Sequence, residues 1–330
     1  MYQPTKIIAA FCLILLAACN QNSASEEDGL AGFSTERIKK DIAMLASDSF
    51  MGRKPFTAGE TKTIDYLQQR FAAIGLEPGN GNSFLQAVPM VNILATAAPD
   101  MQVKSAKSNF TLKAYDDYII WTDKTDSAIS LDNTELIFAG YGVVAPEYNW
   151  NDYEGLDVKG KVVMVMVNDP GFWAGDTTLF KGKTMTYYGR WTYKFEEAAR
   201  QGAKGCLIVH NTKAASYPFS VQQKSFNNSR LKLDNRGKDM KDCDVIGWVT
   251  ETTANKLFTA AGFDSGLLVK ANQRGFKAVP LNLQLSTSMK VKTTYNKSYN
   301  VIGKVTGTKH PDEVIIYTAH WDHLGIGRPD

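Results

Sequence analysis

The chain has 330 residues, enough for roughly two domains of ordinary size, and its 44% hydrophobic and 22% charged residues lie close to soluble globular averages. That composition excludes wholesale disorder and a polytopic membrane protein. The formal net charge is +3, the signs are interleaved along the chain, and no basic stripe is accompanied by aromatics, which argues against nucleic acid as a partner.

At the N-terminus Lys6 precedes the apolar stretch 7–18, a charged region followed by a hydrophobic one too short to span a bilayer comfortably. It ends in Leu16-Ala17-Ala18-Cys19, which resembles the bacterial lipobox. The resemblance implies a lipoprotein signal over 1–19, cleavage before Cys19 and lipidation of that cysteine. Asn20 directly after it points to the periplasmic face of the outer membrane. An ordinary signal peptide with an unrelated cysteine is the alternative. Cleavage removes Lys6 and lowers the charge from +3 to +2. Residues 20–33, rich in Asn, Ser and acidic groups, read as a solvated tether.

Ile38, Ile42 and Leu45 recur at helical spacing, with Ser34 or Thr35 placed to cap the start. A second helix is expected from about Glu60, with Ile64, Leu67, Phe71 and Ile74 on one face and Gly75 terminating it. Gly52-Arg53 and Ala58-Gly59 mark the connecting loop. Residues 84–94 read as extended, with Pro89 making them an edge or irregular segment.

From about Tyr115 to Leu285 short apolar runs are separated by Gly, Asn and Asp, as at 136–139, 162–167, 206–210, 245–250 and 281–285. One helix interrupts them, carrying Trp191, Phe195 and Ala199 and ending at Gly202. The order reads as a compact β-rich insertion with a few helices. Gly140-Tyr141-Gly142 lacks the third glycine of a dinucleotide loop and reads as a turn. Cys206 and Cys243 can pair in an export compartment, while the apolar run around Cys206 suits a buried free thiol equally well. His210 and His310 have no partnered ligands nearby in sequence and read as surface or structural residues.

Beyond Tyr295 an α/β character returns. Residues 300–305 read as a strand, 307–312 as a turn and 313–319 as a buried strand that delivers His320 at its carboxyl end, where α/β sheets collect ligands. His320-Trp321-Asp322-His323-Leu324-Gly325 then sets two imidazoles around a carboxylate. Neutral imidazole is a zinc ligand, and a carboxylate two residues on can bind metal or fix the ring's tautomer. His323 is either a support behind that ligand or a structural residue, and the divergence of adjacent strand-end side chains favours the second.

Three signs together resemble the co-catalytic zinc aminopeptidase family, relatives of glutamate carboxypeptidase II and the transferrin receptor, in its form with an inserted protease-associated domain. They are Gly52-Arg53 before a helix ending at Ile74-Gly75-Leu76, then Ser298-Tyr299-Asn300-Val301-Ile302-Gly303, and finally Thr318-Ala319-His320-Trp321-Asp322-His323-Leu324-Gly325. The resemblance implies an α/β zinc-peptidase sheet domain, incomplete in this sequence, from residues 34–114 and 291–330. A β-rich protease-associated domain over 115–290 interrupts it. It further implies His320 as a zinc ligand, Asp322 as the catalytic-site carboxylate bonded to the other ring nitrogen, two zinc ions, and removal of N-terminal residues from peptides by a metal-activated water. The family's bridging Asp, its general-base and ligand Glu pair and its remaining ligands follow this motif, and the sequence stops at Asp330 before any of them. The 330-residue chain is accordingly expected to be inactive and to expose apolar surface around 300–320. A non-catalytic peptide-binding lipoprotein and a zinc acyltransferase of the glutaminyl-cyclase type are the competing expectations.

Overall fold

A computed structural model describes residues 32–238 and 240–327. Cys19, the signal segment and tether residues 20–31 lie outside the described residues. The fold is mixed α/β, and the chain divides into two units: Met1–Ala87 with Ser298–Asp330, and Val88–Lys297. The second unit is thus an insertion in the sequence of the first.

In the first unit, helix α1 (Thr35–Leu45) is capped by Ser34, whose side chain accepts from Arg37 N. Ile38 and Ile42 stay exposed, so propensity and the cap, rather than burial, account for the helix. Polar bonds fix α1 on α2 (Ala58–Ala73): the Asp41 carboxylate accepts from Arg70 Nε at 2.9 Å, Arg70 Nη2 at 3.0 Å and Tyr66 Oη at 2.5 Å. The bond from Arg70 holds the Asp41 carboxyl below its ordinary range. Helix α2 starts at Thr57, whose hydroxyl accepts from Gly59 N, and the chain leaves it through Gly75 at φ +83°. Beyond it, β1 (Glu77–Pro78) pairs antiparallel with β14 (Gly303–Lys304), Glu77 opposite Lys304.

The expected strand over 313–319 is absent. Residues 305–327 carry no strand or helix, and Ile315 and Tyr317 are 83% and 93% exposed. The hairpin expected between 300–305 and 313–319 is likewise not formed, since the first of these segments ends β13 and then pairs with β1. The apolar run has strand composition, but a strand exists only when its backbone groups find partners, and among the described residues none pairs with it. The exposed apolar surface expected here is present at Val305, Val314, Ile315, Ile316 and Tyr317.

The second unit is built on one sheet. Its strands are β2 (Leu85–Ala97), β3 (Asp100–Lys104), β4 (Asn109–Lys113), β5 (Tyr118–Trp121), β6 (Ala128–Phe138), β9 (Val162–Met166), β10 (Gly205–His210), β11 (Arg230–Leu233), β12 (Val245–Thr250) and β13 (Val279–Val301). A separate two-residue ladder joins β7 (Val144–Ala145) to β8 (Trp150–Asn151). The main path runs β11-β2-β13-β6-β9-β10-β12-β5, with the β3–β4 hairpin attached to β13. The neighbours β6–β9, β9–β10 and β10–β12 are parallel. Every residue of β9 and β10 is buried, as expected for parallel strands covered on both faces. Helices α3 (Trp191–Arg200) and α4 (Glu251–Ala260) pack on β10 and β12. Side chains link the outermost strands of the path: the Arg230 guanidinium lies 3.9 Å over the Trp121 ring, and Lys232 Nζ lies 2.6 Å from Asp123 Oδ2.

A charged group sits inside this core. Lys194 is fully buried, donates to the Asn168 carbonyl at 3.0 Å and lies over the Tyr141 ring. Asp152 nearby accepts from the backbone amides of Tyr141 and Val143 at 3.1 and 3.0 Å, which assigns Gly140-Tyr141-Gly142 to a turn closed on a carboxylate. Burial pushes the Lys194 ammonium below its ordinary value and the Asp152 and Asp169 carboxyls above theirs. Cys206 and Cys243 are both free and buried.

Residues 88–114, placed by sequence with the first unit, group with the second because β2 pairs with β11 and β3 with β13. A fragment of residues 88–297 is therefore expected to unfold in urea as one cooperative transition. A fragment of 115–285, lacking β2 to β4, is expected to melt at lower urea or without a cooperative transition. Equal midpoints by tryptophan fluorescence would return the boundary to 115.

Candidate functional site

Residues 320–325 have no regular structure, so their conformation depends on what binds their backbone. Most of that binding comes from the loop between α1 and α2. Met51, Gly52 and Arg53 there have φ of 53°, 63° and 49°, three successive left-handed residues that turn the chain tightly. The turn aims two carbonyls at the site segment: Gly52 O accepts from Gly325 N at 2.9 Å, and Arg53 O accepts from His323 N at 3.1 Å. A Cβ on Gly52 would lie 2.4 Å from the Gly325 oxygen, so the approach requires glycine. The Arg53 side chain adds a fork. Its Nε donates to the Trp321 carbonyl at 2.9 Å and its Nη1 to the Leu45 carbonyl. From the other side, Trp321 Nε1 donates to the Tyr299 carbonyl at 2.9 Å.

Within this frame His320 Nδ1 lies 2.9 Å from the Asp322 carbonyl oxygen and 3.4 Å from its carboxylate Oδ1. A carbonyl only accepts, so Nδ1 carries a proton, and in the neutral ring Nε2 then keeps the lone pair. The family resemblance implies a carboxylate bond to the ring nitrogen away from the metal; in the structure the backbone carbonyl makes the closer contact to Nδ1 and the carboxylate stands behind it at 3.4 Å. The His320 side chain is 79% exposed and that of Asp322 49%, so Nε2 faces solvent as a ligand or proton acceptor. His323 contributes its backbone N–H to the frame.

Catalytic zinc takes three protein ligands and an open position. Among the described residues no group of three or more His, Cys, Asp and Glu stands at metal-holding distances. These residues supply one ready imidazole nitrogen and an adjacent carboxylate. They do not by themselves fit a zinc centre.

The remaining histidines lie elsewhere. His210 is buried at the end of β10 among Tyr217, Phe219 and Trp248, and burial lowers its pKa. His310 is exposed, 3.4 Å from Glu313. Trp173, Tyr187 and Trp191 are exposed, whereas Tyr188 and Tyr193 pack edge to face in the second unit.

Sequence reasoning missed Glu60. It is buried, and its carboxylate accepts from Ser298 Oγ at 2.6 Å and from Phe56 N at 2.5 Å. A signal was present in Thr57-Ala58-Gly59-Glu60, the spacing of a capping box. Here the Glu reaches Phe56 N and Ser298 instead of the cap residue's own amide. The bridging role of Arg53 was invisible, because its partners are backbone carbonyls at positions 45 and 321.

No family model matches the sequence, and no curated protein matches it. Solved structures similar to it include an aminopeptidase from Aneurinibacillus sp. strain AM-1, with 18% identity and a TM-score of 0.39 over 85% of this chain and 50% of that one. A zinc aminopeptidase from Bacillus subtilis matches at 16% identity and a TM-score of 0.34, over 84% of this chain and 49% of that one. A peptidase M28 precursor from Shewanella amazonensis SB2B matches at 13% identity and 0.33, over 87% and 57% respectively. The chain spans about half the length of these structures.

The Glu60–Ser298 bond is open to direct measurement. Glu60→Ala leaves a buried hydroxyl and an amide without their acceptor and is expected to lower stability by about 1–3 kcal/mol. Ser298→Ala is expected to cost less, and the double variant less than the sum of the two. Additive effects in urea unfolding would show that the pair is not coupled.

Proposed function

We propose that the protein is an exported zinc-dependent aminopeptidase in which His320 is a metal ligand and Asp322 holds its ring. The observation that carries this reading is that Nδ1 of His320 is engaged by the Asp322 carbonyl, with the Asp322 carboxylate behind it, in a ring that is largely exposed, which leaves Nε2 free. A neutral imidazole fixed in one tautomer by a hydrogen bond on its far nitrogen is how proteins prepare a histidine for zinc. The sequence around it, Thr318 to Gly325, supports the same reading through its resemblance to co-catalytic zinc aminopeptidases. The substrate would be the N-terminal residue of a peptide, and two zinc ions would supply the Lewis acidity. The insertion over Val88–Lys297 is then the protease-associated domain, a reading supported by its parallel strands and by its place between the two segments of the first unit.

Membrane attachment belongs to the same proposal. Leu16-Ala17-Ala18-Cys19 supports lipidation of Cys19, which would tether the enzyme to the periplasmic face of the outer membrane. No helix among the described residues is long and apolar enough to cross a membrane. Cys19→Ala is expected to move the protein from the membrane to the soluble fraction or to block its processing. Wild-type protein found unprocessed in the cytoplasm would overturn the tether.

The metal assignment is tested on protein purified from its native membrane fraction, with release of N-terminal residues from aminoacyl substrates followed with and without zinc. His320→Ala is expected to abolish zinc-dependent turnover. Asp322→Ala removes the carboxylate behind the ring but keeps the backbone carbonyl on Nδ1, and is expected to lower zinc affinity or turnover by less than the ~10–100-fold loss typical when a ligand histidine loses its partner altogether. Turnover indifferent to His320→Ala would overturn the assignment.

A further inference from the structure

Two consecutive peptide groups separate the His320 ring from random orientation, and Arg53 binds both. The Trp321 carbonyl, part of the peptide joining Trp321 to Asp322, accepts from Arg53 Nε at 2.9 Å. The His323 N–H, part of the next peptide, donates to Arg53 O at 3.1 Å. In a trans peptide the N–H and C=O point in opposite directions. Aiming the His323 N–H at Arg53 therefore aims the Asp322 C=O away from it, and that oxygen is the one His320 Nδ1 meets at 2.9 Å. Arg53 is itself anchored, because its Nη1 donates to the Leu45 carbonyl at the end of α1. A planar guanidinium offers donors in fixed directions for the two carbonyls, which a single ammonium does not.

We propose that Arg53 is a positioning residue for His320: by fixing the peptide groups on either side of Asp322 it sets the Asp322 carbonyl on Nδ1 and leaves Nε2 as the one ring nitrogen open to a metal or a proton. This deepens the reading of His320 as a site residue and rests on it. Gly52 works in the same device from the backbone. Its left-handed φ of 63° and its bond from Gly325 N hold the far end of the turn.

The tautomer of His320 is the readout, and it needs neither metal nor substrate. The full chain, labelled with 15N in its histidine rings, contains four histidines, and His320→Gln identifies the resonance of interest. Long-range ring correlations at a pH where the rings are neutral should show His320 with a pyrrole-type Nδ1 and a pyridine-type Nε2. Arg53→Ala and Gly52→Ala are each expected to shift both nitrogens toward the averaged pattern of an unconstrained ring, with His310 unmoved. Arg53→Lys, one ammonium in place of a fork, is expected not to restore the wild-type pattern. If Arg53→Ala fails to fold, Gly52→Ala and Arg53→Lys still decide the matter. A wild-type His320 protonated on Nε2, an unchanged pattern in the folded variants, or full rescue by Arg53→Lys would each overturn the proposal. Failure of the zinc reading would appear separately, as turnover indifferent to His320→Ala with the tautomer shift intact.

Discussion

The backbone hydrogen bonds between the 45–57 loop and residues 320–325 are the constraint on which the site depends. A segment without helix or strand leaves its peptide groups free to rotate, and each fixed residue costs about 1–2 kcal/mol of conformational entropy. Net gains of about 1 kcal/mol per hydrogen bond offset that cost only when several act together. Here the bonds to Gly52 O, Arg53 O, the Arg53 guanidinium and Tyr299 O converge on three residues of the segment, Trp321, His323 and Gly325. The left-handed run at 51–53 is the counterpart. Non-glycine residues in that region store about 1–3 kcal/mol each, and Met51 and Arg53 are held there because the turn they make presents two carbonyls in the direction the site segment needs.

Glu60 connects this loop to the returning chain. Its carboxylate joins Phe56, in the loop, with Ser298 near the end of β13, five residues before the Gly303–Lys304 strand that pairs with β1. The site segment is thus fixed from both directions in sequence, by the loop before α2 and by Tyr299, which immediately follows Ser298. In the second unit the organising polar group is Lys194. A buried ammonium is tolerated only where oxygens and carboxylates surround it, and the Asn168 carbonyl with Asp152 and Asp169 provide that surrounding. The same carboxylates close the turns at Tyr141–Val143 and at Thr186, so one buried charge cluster orders loops that hydrophobic packing alone would leave undetermined.

Local periodicity carried most of the fold. The two N-terminal helices, the extended 84–94 run and the insertion's strands at 162–167, 206–210 and 245–250 stand where spacing and apolar runs place them, because local signals decide them: caps and propensity for the first helix, and continuous apolar runs for the buried strands. Pairing was less legible. Nothing in residues 88–114 announces that they join the later sheet, since partners for β2 and β3 lie in β11 and β13, more than a hundred positions away. The site was half legible: His320 and Asp322 are adjacent in sequence and in space, whereas Arg53 and Glu60 act through partners 268 and 238 residues distant. A long-range bond to a backbone carbonyl leaves no pattern in residue types.

The failed strand at 313–319 shows the limit of composition from the opposite side. Val314, Ile315, Ile316 and Tyr317 have strong strand preference, yet preference of this kind measures how well a side chain fits a pleated, half-buried surface, and none is present here. Burying any one of them would contribute about 1.5–3 kcal/mol, which exceeds the hydrogen bond that each backbone group forgoes. An apolar run of this length with immediately flanking charges only on its leading side, Asp312 and Glu313, and no proline within it also has the signature of an aggregation-prone segment. Residues 320–325, immediately beyond it, are held without burial. The hydrogen bonds to Gly52, Arg53 and Tyr299 therefore place His320 independently of whether the preceding run is paired, and the order of the site does not require the order of the strand that leads to it.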